Sequence, residues 1–144
     1  MAGKLVTYFS ASSGGVTRKA AERIAREEGA DLYEIRPAEP YTEDDLYWPN
    51  FKCRSIVEMM DRTSRPALAD KDCRVADYDE IWIGFPIWCE TAPHVVLTFL
   101  ESYDFTGKTM HPFATSGGSG YGRSNEDLRA SAPGAEWLPG KMVR

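Results

Sequence analysis

The chain has few cysteines and few histidines, and this scarcity argues against two common kinds of small protein. Its 144 residues include three cysteines and two histidines. Cys53, Cys73 and Cys89 are odd in number, no pair has the CxxC spacing, and no histidine lies at ligand spacing from them. A disulfide framework and a zinc site are therefore not expected, and a reducing cytoplasm is the predicted compartment.

Long apolar runs and an excess of basic residues are also missing. No run approaches the roughly 18–20 apolar residues that a membrane span needs. Strand-like residues begin at Leu5, so the N-terminus lacks the layout of a signal peptide. The net charge is −5, which disfavours binding to nucleic acid and suits a partner protein with a basic docking surface. The sequence thus predicts no membrane span and no nucleic-acid partner.

The chain alternates strand-like and helix-like segments, and its length suits a single domain over residues 1–144. Such alternation predicts an α/β fold in which a parallel sheet carries helices on both faces. The predicted strands are residues 4–9, 31–36, 78–85 and 108–115, with a short last strand within 136–143. The predicted helices are residues 18–28 and 54–61, one that begins near Pro93, and one over 124–133.

Three loops follow predicted strands and should meet at one edge of the sheet, because crossovers between parallel strands are right-handed. They are residues 10–17, 86–91 and 115–122. In such sheets ligands bind beyond the carboxyl ends of the strands, where the strand order reverses. The three loops therefore predict one ligand site.

The chemistry of these loops points to a phosphate attached to a flat ring. Residues 10–17 are small hydroxyl and glycine residues before a helix, where N–H groups and the helix dipole favour an anion. The alternative for this loop is a plain helix cap without a ligand. In the second loop Trp88 offers a flat apolar face, and in the third Gly117 and Gly118 offer backbone N–H groups.

The connection over residues 37–76 is irregular and contains four prolines. Tyr41, Tyr47, Trp48 and Phe51 make it unusually aromatic. A long connection in a compact domain is often functional, although these rings could simply cap the core. Trp48 could approach a ligand ring from this connection, but no motif assigns it that role.

With these segments the chain resembles the flavodoxin family, and in particular the short bacterial flavodoxin-like proteins. The matching segments are residues 8–12 with 15–17, 84–88, 91–93 and 113–120. The resemblance implies a flavodoxin-like, doubly wound, five-stranded parallel sheet in the order 2-1-3-4-5. It also implies a non-covalently bound FMN.

The resemblance further implies a cofactor site, and it assigns no catalytic residue and no metal ligand. The phosphate loop would contribute Ser10, Ala11, Ser12, Gly15, Val16 and Thr17. The loop beside the isoalloxazine ring would contribute Pro86, Ile87 and Trp88, with Glu90 and Thr91 near the ribityl chain or the ring. The pyrimidine side would be lined by Ser116, Gly117 and Gly118.

The chain departs from the family pattern in two places. The phosphate loop holds two extra residues within 12–15, so it either bulges around the phosphate or binds FMN less tightly. The last predicted strand is followed by no predicted helix before Arg144, so we expect the C-terminal helix of the family to be missing. Its absence predicts an exposed apolar face near the first strand, and hence a homodimer or a truncated chain.

The leading functional prediction is one-electron transfer through bound FMN to a redox partner protein. The first alternative is an NAD(P)H-dependent flavin or quinone oxidoreductase on the same fold, although no separate dinucleotide motif is present. The second alternative is a flavin-free binding protein whose altered phosphate loop no longer holds a flavin.

Overall fold

Strands and helices alternate along the part of the chain that the structure describes. The structure is a computed structural model, and it describes residues 3–11, 15–116 and 120–143. The strands are β1 Lys4–Tyr8, β2 Asp31–Glu34, β3 Glu80–Pro86, β4 Thr109–Thr115, β5 Glu136–Trp137 and β6 Lys141–Met142. The helices are α1 Val16–Glu28, α2 Arg54–Met60, α3 His94–Ser102 and α4 Ser124–Ser131, with 3₁₀ turns at Asp44–Leu46 and Val75–Asp77.

The strands form one parallel sheet in the order β2-β1-β3-β4-β5, and β6 also pairs with β4. This arrangement confirms the predicted flavodoxin-like, doubly wound sheet. Helix α1 covers one face of the sheet, where Ala21 and Ile24 pack on β1 and β3. Helices α3 and α4 cover the opposite face, where Phe99 and Leu128 join the larger core.

The last predicted strand is divided into β5 and β6, and Pro112 explains the division. The carbonyl groups of Met110 and Ala114 in β4 accept bonds from Leu138 and Val143. The backbone N–H and C=O groups of every second residue in a strand point to the same edge. Pro112 lies between Met110 and Ala114 in this series and therefore faces β5 and β6, but proline has no N–H to donate. The hydrogen-bond ladder is accordingly interrupted beside Pro112, after the pairing of Met110 with Trp137. It resumes at the pairing of Phe113 with Lys141.

The expectation of an exposed apolar face near the first strand is wrong. Val6 and Tyr8 of β1, Trp82 of β3 and Phe113 of β4 are all buried on the α1 side of the sheet. The ring of His111 also stacks on Trp82, with centroids 4.1 Å apart. No helix follows β6 among the described residues, yet these neighbours bury the sheet residues. The homodimer therefore stays a prediction without its original basis.

The buried imidazole of His94 predicts that the fold weakens in mild acid. Burial and the nearby Arg65 lower the pKa of His94, and its Nδ1 lies 2.6 Å from the Ser64 hydroxyl oxygen. A pKa lower in the folded than in the unfolded chain gives stability that is present above the ordinary value of about 6.5 and is lost as the pH falls. Urea unfolding between about pH 7.5 and about pH 5.5 should show this loss, and a His94→Asn variant should show less of it. An unchanged pH slope in the variant would contradict this assignment.

Candidate ligand-binding site

A cavity lies at the carboxyl ends of β1, β3 and β4, where the sequence predicts the ligand site. Its volume is about 320 Å³, within the range of small-molecule sites. It is lined by Ala11, Val16, Thr17, Leu46, Trp48, Pro86, Ile87, Trp88, Thr115 and Ser116. The walls therefore combine all three predicted loops with part of the long connection.

The predicted site residues divide into four groups by position. Seven of them line the cavity, namely Ala11, Val16, Thr17, Pro86, Ile87, Trp88 and Ser116. Ser10 and Gly15 adjoin those walls in the chain, whereas Glu90 and Thr91 are not among the lining residues. Ser12, Gly117 and Gly118 lie outside the described residues.

The first turn of α1 and two hydroxyl groups form a polar end of the site. The helix is capped by Gly15 with φ of 62°, and glycine has no side chain that could occupy the N–H groups of the first turn. No acidic residue lies in that turn. The Thr17 Oγ1 lies 2.7 Å from the Thr115 Oγ1, and both residues are buried. This end therefore offers donors without an opposing negative charge.

The Ser10 hydroxyl oxygen is buried and has no hydrogen-bond partner among the described residues. An unpaired buried hydroxyl is unfavourable, because it has lost water without gaining another partner. Ser10 lies two residues after the end of β1 and is the first residue of the phosphate loop. An oxyanion bound by this loop is the kind of group that would satisfy the hydroxyl.

A tight turn over residues 88–91 forms the far side of the second loop. Backbone bonds join Trp88 N–H to Thr91 O at 2.9 Å and Thr91 N–H to Trp88 O at 3.1 Å. Cys89 and Glu90 between them have positive φ values of 49° and 69°, a conformation that favours glycine and is strained for other residues. The turn is tied to the start of α4, because the N–H of Arg123, the residue just before that helix, donates to the Glu90 carbonyl at 3.0 Å.

Glu90 and Thr91 point to α4 rather than to the cavity. The Thr91 hydroxyl donates to Asp127 at 2.5 Å, and the largely exposed Glu90 carboxylate lies 3.9 Å from Arg123. Neither residue lines the cavity, and their contact with the ribityl chain or the ring stays a prediction. The turn over residues 88–91 instead connects the second loop to α4, through the bonds of Glu90 to Arg123 and of Thr91 to Asp127.

Trp88 does not present the open flat face that the sequence suggests. Its side chain is 4% exposed. The indole packs edge-on against Phe9 and Tyr41, with ring centroids 5.6 and 5.1 Å away. Trp88 therefore supplies one buried wall of the cavity and belongs mainly to the core.

Leu46, Trp48 and Thr115 also line the cavity. The sequence analysis did not name Leu46, gave Trp48 no assigned role, and included Thr115 only as the first residue of the third loop. Trp48 is 45% exposed, and its indole N–H donates to the Ser55 hydroxyl at 3.1 Å. The one signal that could have identified Trp48 is the aromatic composition of the connection. Thr115 ends β4 immediately before Ser116, so its place at the strand end could have identified it.

None of the ten described residues that line the cavity carries an acidic or basic side chain. The exposed thiol of Cys89 adjoins the site, but burial of part of the residue raises its pKa above the usual value. At neutral pH it is therefore a thiol rather than a reactive thiolate. Among the described residues no cluster of side chains is arranged to hold a metal ion, and no helix there is long and apolar enough to span a membrane.

Comparison with known proteins agrees with this architecture. A family model described as flavodoxin matches residues 3–144. A Bacteroides eggerthii DSM 20697 protein that has been classed as a flavoprotein is 45% identical, with a TM-score of 0.93 over 99% of this chain and 89% of that chain. A Bacteroides uniformis ATCC 8492 protein of the same description is 46% identical, with a TM-score of 0.93 over 99% and 90%.

A third solved structure is more distant. It is a flavoprotein of Lactobacillus acidophilus NCFM in complex with FMN, 23% identical, with a TM-score of 0.78 over 99% of this chain and 93% of that chain. At this identity the likeness concerns the fold. No match was found among curated proteins.

Proposed function

Because this chain belongs to the flavodoxin family, we propose that its cavity binds FMN and that the protein carries electrons one at a time to a partner protein. The observation that carries the proposal is the two-part chemistry of one site. Polar donors at the start of α1 adjoin apolar walls from Ile87, Trp48 and Trp88. This division matches the phosphate and the ring of FMN, and the FMN complex of the Lactobacillus acidophilus protein supports it.

The phosphate would be held by the N–H groups of the first turn of α1 together with the Thr17 and Ser10 hydroxyls. Helix α1 has 13 residues and no acidic side chain in its first turn, so its dipole favours an anion there. Ser10 lacks a partner among the described residues, and a phosphate oxygen would satisfy it. The two extra residues of the loop fall within residues 12–15, of which residues 12–14 lie outside the described part of the chain.

Bound FMN would supply reversible uptake and release of electrons. The chain's own part is to bind the cofactor, orient it and exclude water from its ring, because none of the described lining residues carries an acidic, basic or thiol side chain. Apolar walls and the net charge of −5 would both disfavour additional negative charge in the site. These features favour an electron carrier over an enzyme that needs proton transfer by a wall residue.

The partner protein would dock beside the cavity through a basic surface. Tyr47 and Phe51 are exposed next to Trp48, and Glu43 and Asp44 precede them on the exposed side of the same segment. An apolar centre with an acidic rim is a common interface composition, and its charges mainly speed encounter. We therefore expect the rate of electron transfer to the partner to fall as salt is added.

The test is an absorption spectrum of the purified protein in the near-ultraviolet and blue, before and after FMN is added, followed by reductive titration. We expect a bound flavin band and two resolved reduction steps. A colourless protein that does not change with FMN would overturn the proposal and favour the flavin-free binding protein. Rapid bleaching on addition of NADPH alone would favour an NAD(P)H-dependent oxidoreductase instead.

A further inference from the structure

The two tryptophans at the cavity differ in what a ligand could gain from them. Both line the cavity. Trp88 is 4% exposed and already packed against two rings, whereas Trp48 is 45% exposed. A ligand ring that covers exposed apolar surface gains from removing it from water. Trp48 has that surface to offer, and Trp88 has almost none.

Trp48 is also held in place, so covering it requires little further ordering. Its indole N–H donates to Ser55 at 3.1 Å, and its backbone N–H donates to the Leu46 carbonyl at 2.9 Å. Reciprocal bonds between Thr42 and Asp45 close the turn just before it. A preorganised side chain loses less entropy when a ligand binds.

Arg54 at the start of α2 fastens the segment that carries Trp48. Its guanidinium donates to the Glu39 carbonyl at 2.7 Å and to the Glu58 carboxylate at 2.9 Å. The same group lies 3.7 Å from Asp45 and stacks over the Tyr41 ring, 4.0 Å from its centroid. The connection between β2 and α2 is therefore a fixed wall of the cavity.

We propose that Trp48, from this connection, is the side chain that packs on the isoalloxazine ring of FMN, and that Trp88 forms the buried support behind the site. The inference rests on the proposed function, because it assumes that FMN occupies the cavity. It goes beyond that function by assigning the ring contact to a segment outside the three loops at the strand ends. It also assigns the indole N–H to Ser55 rather than to the ligand.

The experiment compares Trp48→Ala with Tyr47→Ala, titrating each with FMN and with riboflavin. Tyr47 is the matched control, since it is an adjacent exposed aromatic residue that does not line the cavity. Loss of a stacked aromatic should weaken FMN and riboflavin alike by about 10-fold or more. Tyr47→Ala should leave both affinities unchanged, and Trp48→Phe should retain most of the wild-type affinity.

A second readout separates ring contact from a general loosening of the segment. The visible absorption band of the bound flavin should shift towards that of free FMN in Trp48→Ala, while urea unfolding of the ligand-free protein should stay near wild type. If the wild-type protein binds FMN, and Trp48→Ala binds it with the same affinity and the same absorption band, this inference is overturned and the proposed function still stands. Failure of the wild-type protein to bind FMN would overturn both.

Discussion

A Gly84→Val variant is expected to lose about 3 kcal/mol or more of its free energy of unfolding. Gly84 in β3 lies directly opposite Phe113 in β4. A Cβ atom at Gly84 would overlap the Phe113 ring, and that ring is fully buried between the sheet and α1. The side chain and the ring cannot occupy the same space, so β3 and β4 would have to separate. These strands are central, and a loss of this size is a large part of the roughly 5–15 kcal/mol typical of a domain.

Urea unfolding would measure the loss. The matched control is Gly120→Ala, because a Cβ atom there meets nothing within 4 Å, and its midpoint should stay near wild type. Replacing Phe113 by a smaller residue should relieve the clash. The double variant Gly84→Ala with Phe113→Leu should therefore lose less free energy of unfolding than the losses of the two single variants added together. A wild-type midpoint in Gly84→Val would contradict the assigned packing.

Thr17→Val is expected to weaken FMN binding on the order of 100-fold, because a hydrogen bond to a charged group is lost in a buried place. The Thr17 hydroxyl lies at the first turn of α1 and within hydrogen-bond distance of Thr115. Valine keeps the shape but removes the donor, and it leaves the buried Thr115 hydroxyl without this partner. The phosphate would lose one donor and gain no other.

Titration with riboflavin distinguishes this role from general damage, since riboflavin carries the ring and the ribityl chain without the phosphate. We expect Thr17→Val to bind riboflavin almost as well as wild type. The matched control is Thr98→Val, which removes a hydroxyl of α3 that donates to the His94 carbonyl in its own helix. Equal losses for FMN and riboflavin would show that Thr17 does not contact the phosphate.

The position of the site was predictable because it follows from the order of segments along the chain. Alternating strands and helices bring the ends of β1, β3 and β4 to one edge, so Thr17, Ile87 and Ser116 meet there as expected. The division of the last strand could also have been predicted from Pro112, although the sequence analysis kept one strand. The missing N–H of Pro112 can be read from the sequence, and only the edge that this residue faces in β4 has to be known in addition.

The exposure of individual side chains was not predictable in the same way. Trp88 follows β3 in a loop that suggests an open ring face, yet Phe9 and Tyr41 enclose it. Glu90 and Thr91 have suitable polar groups for a ligand, yet Arg123 and Asp127 attract them to α4. Each outcome depends on residues more than 30 positions away, whose placement no local pattern reports.

By itself the sequence determined the alternation of strands and helices along the chain and the loops that meet at one edge, because periodicity and helix starts are properties of neighbouring residues. Only the tertiary structure decided which tryptophan is buried, which is half-exposed, and which polar side chains are already paired. Burial and pairing are set by contacts between distant segments. The position of the aromatic connection between β2 and α2 depends on its packing against residues next to the sheet, such as Phe9 and Trp88.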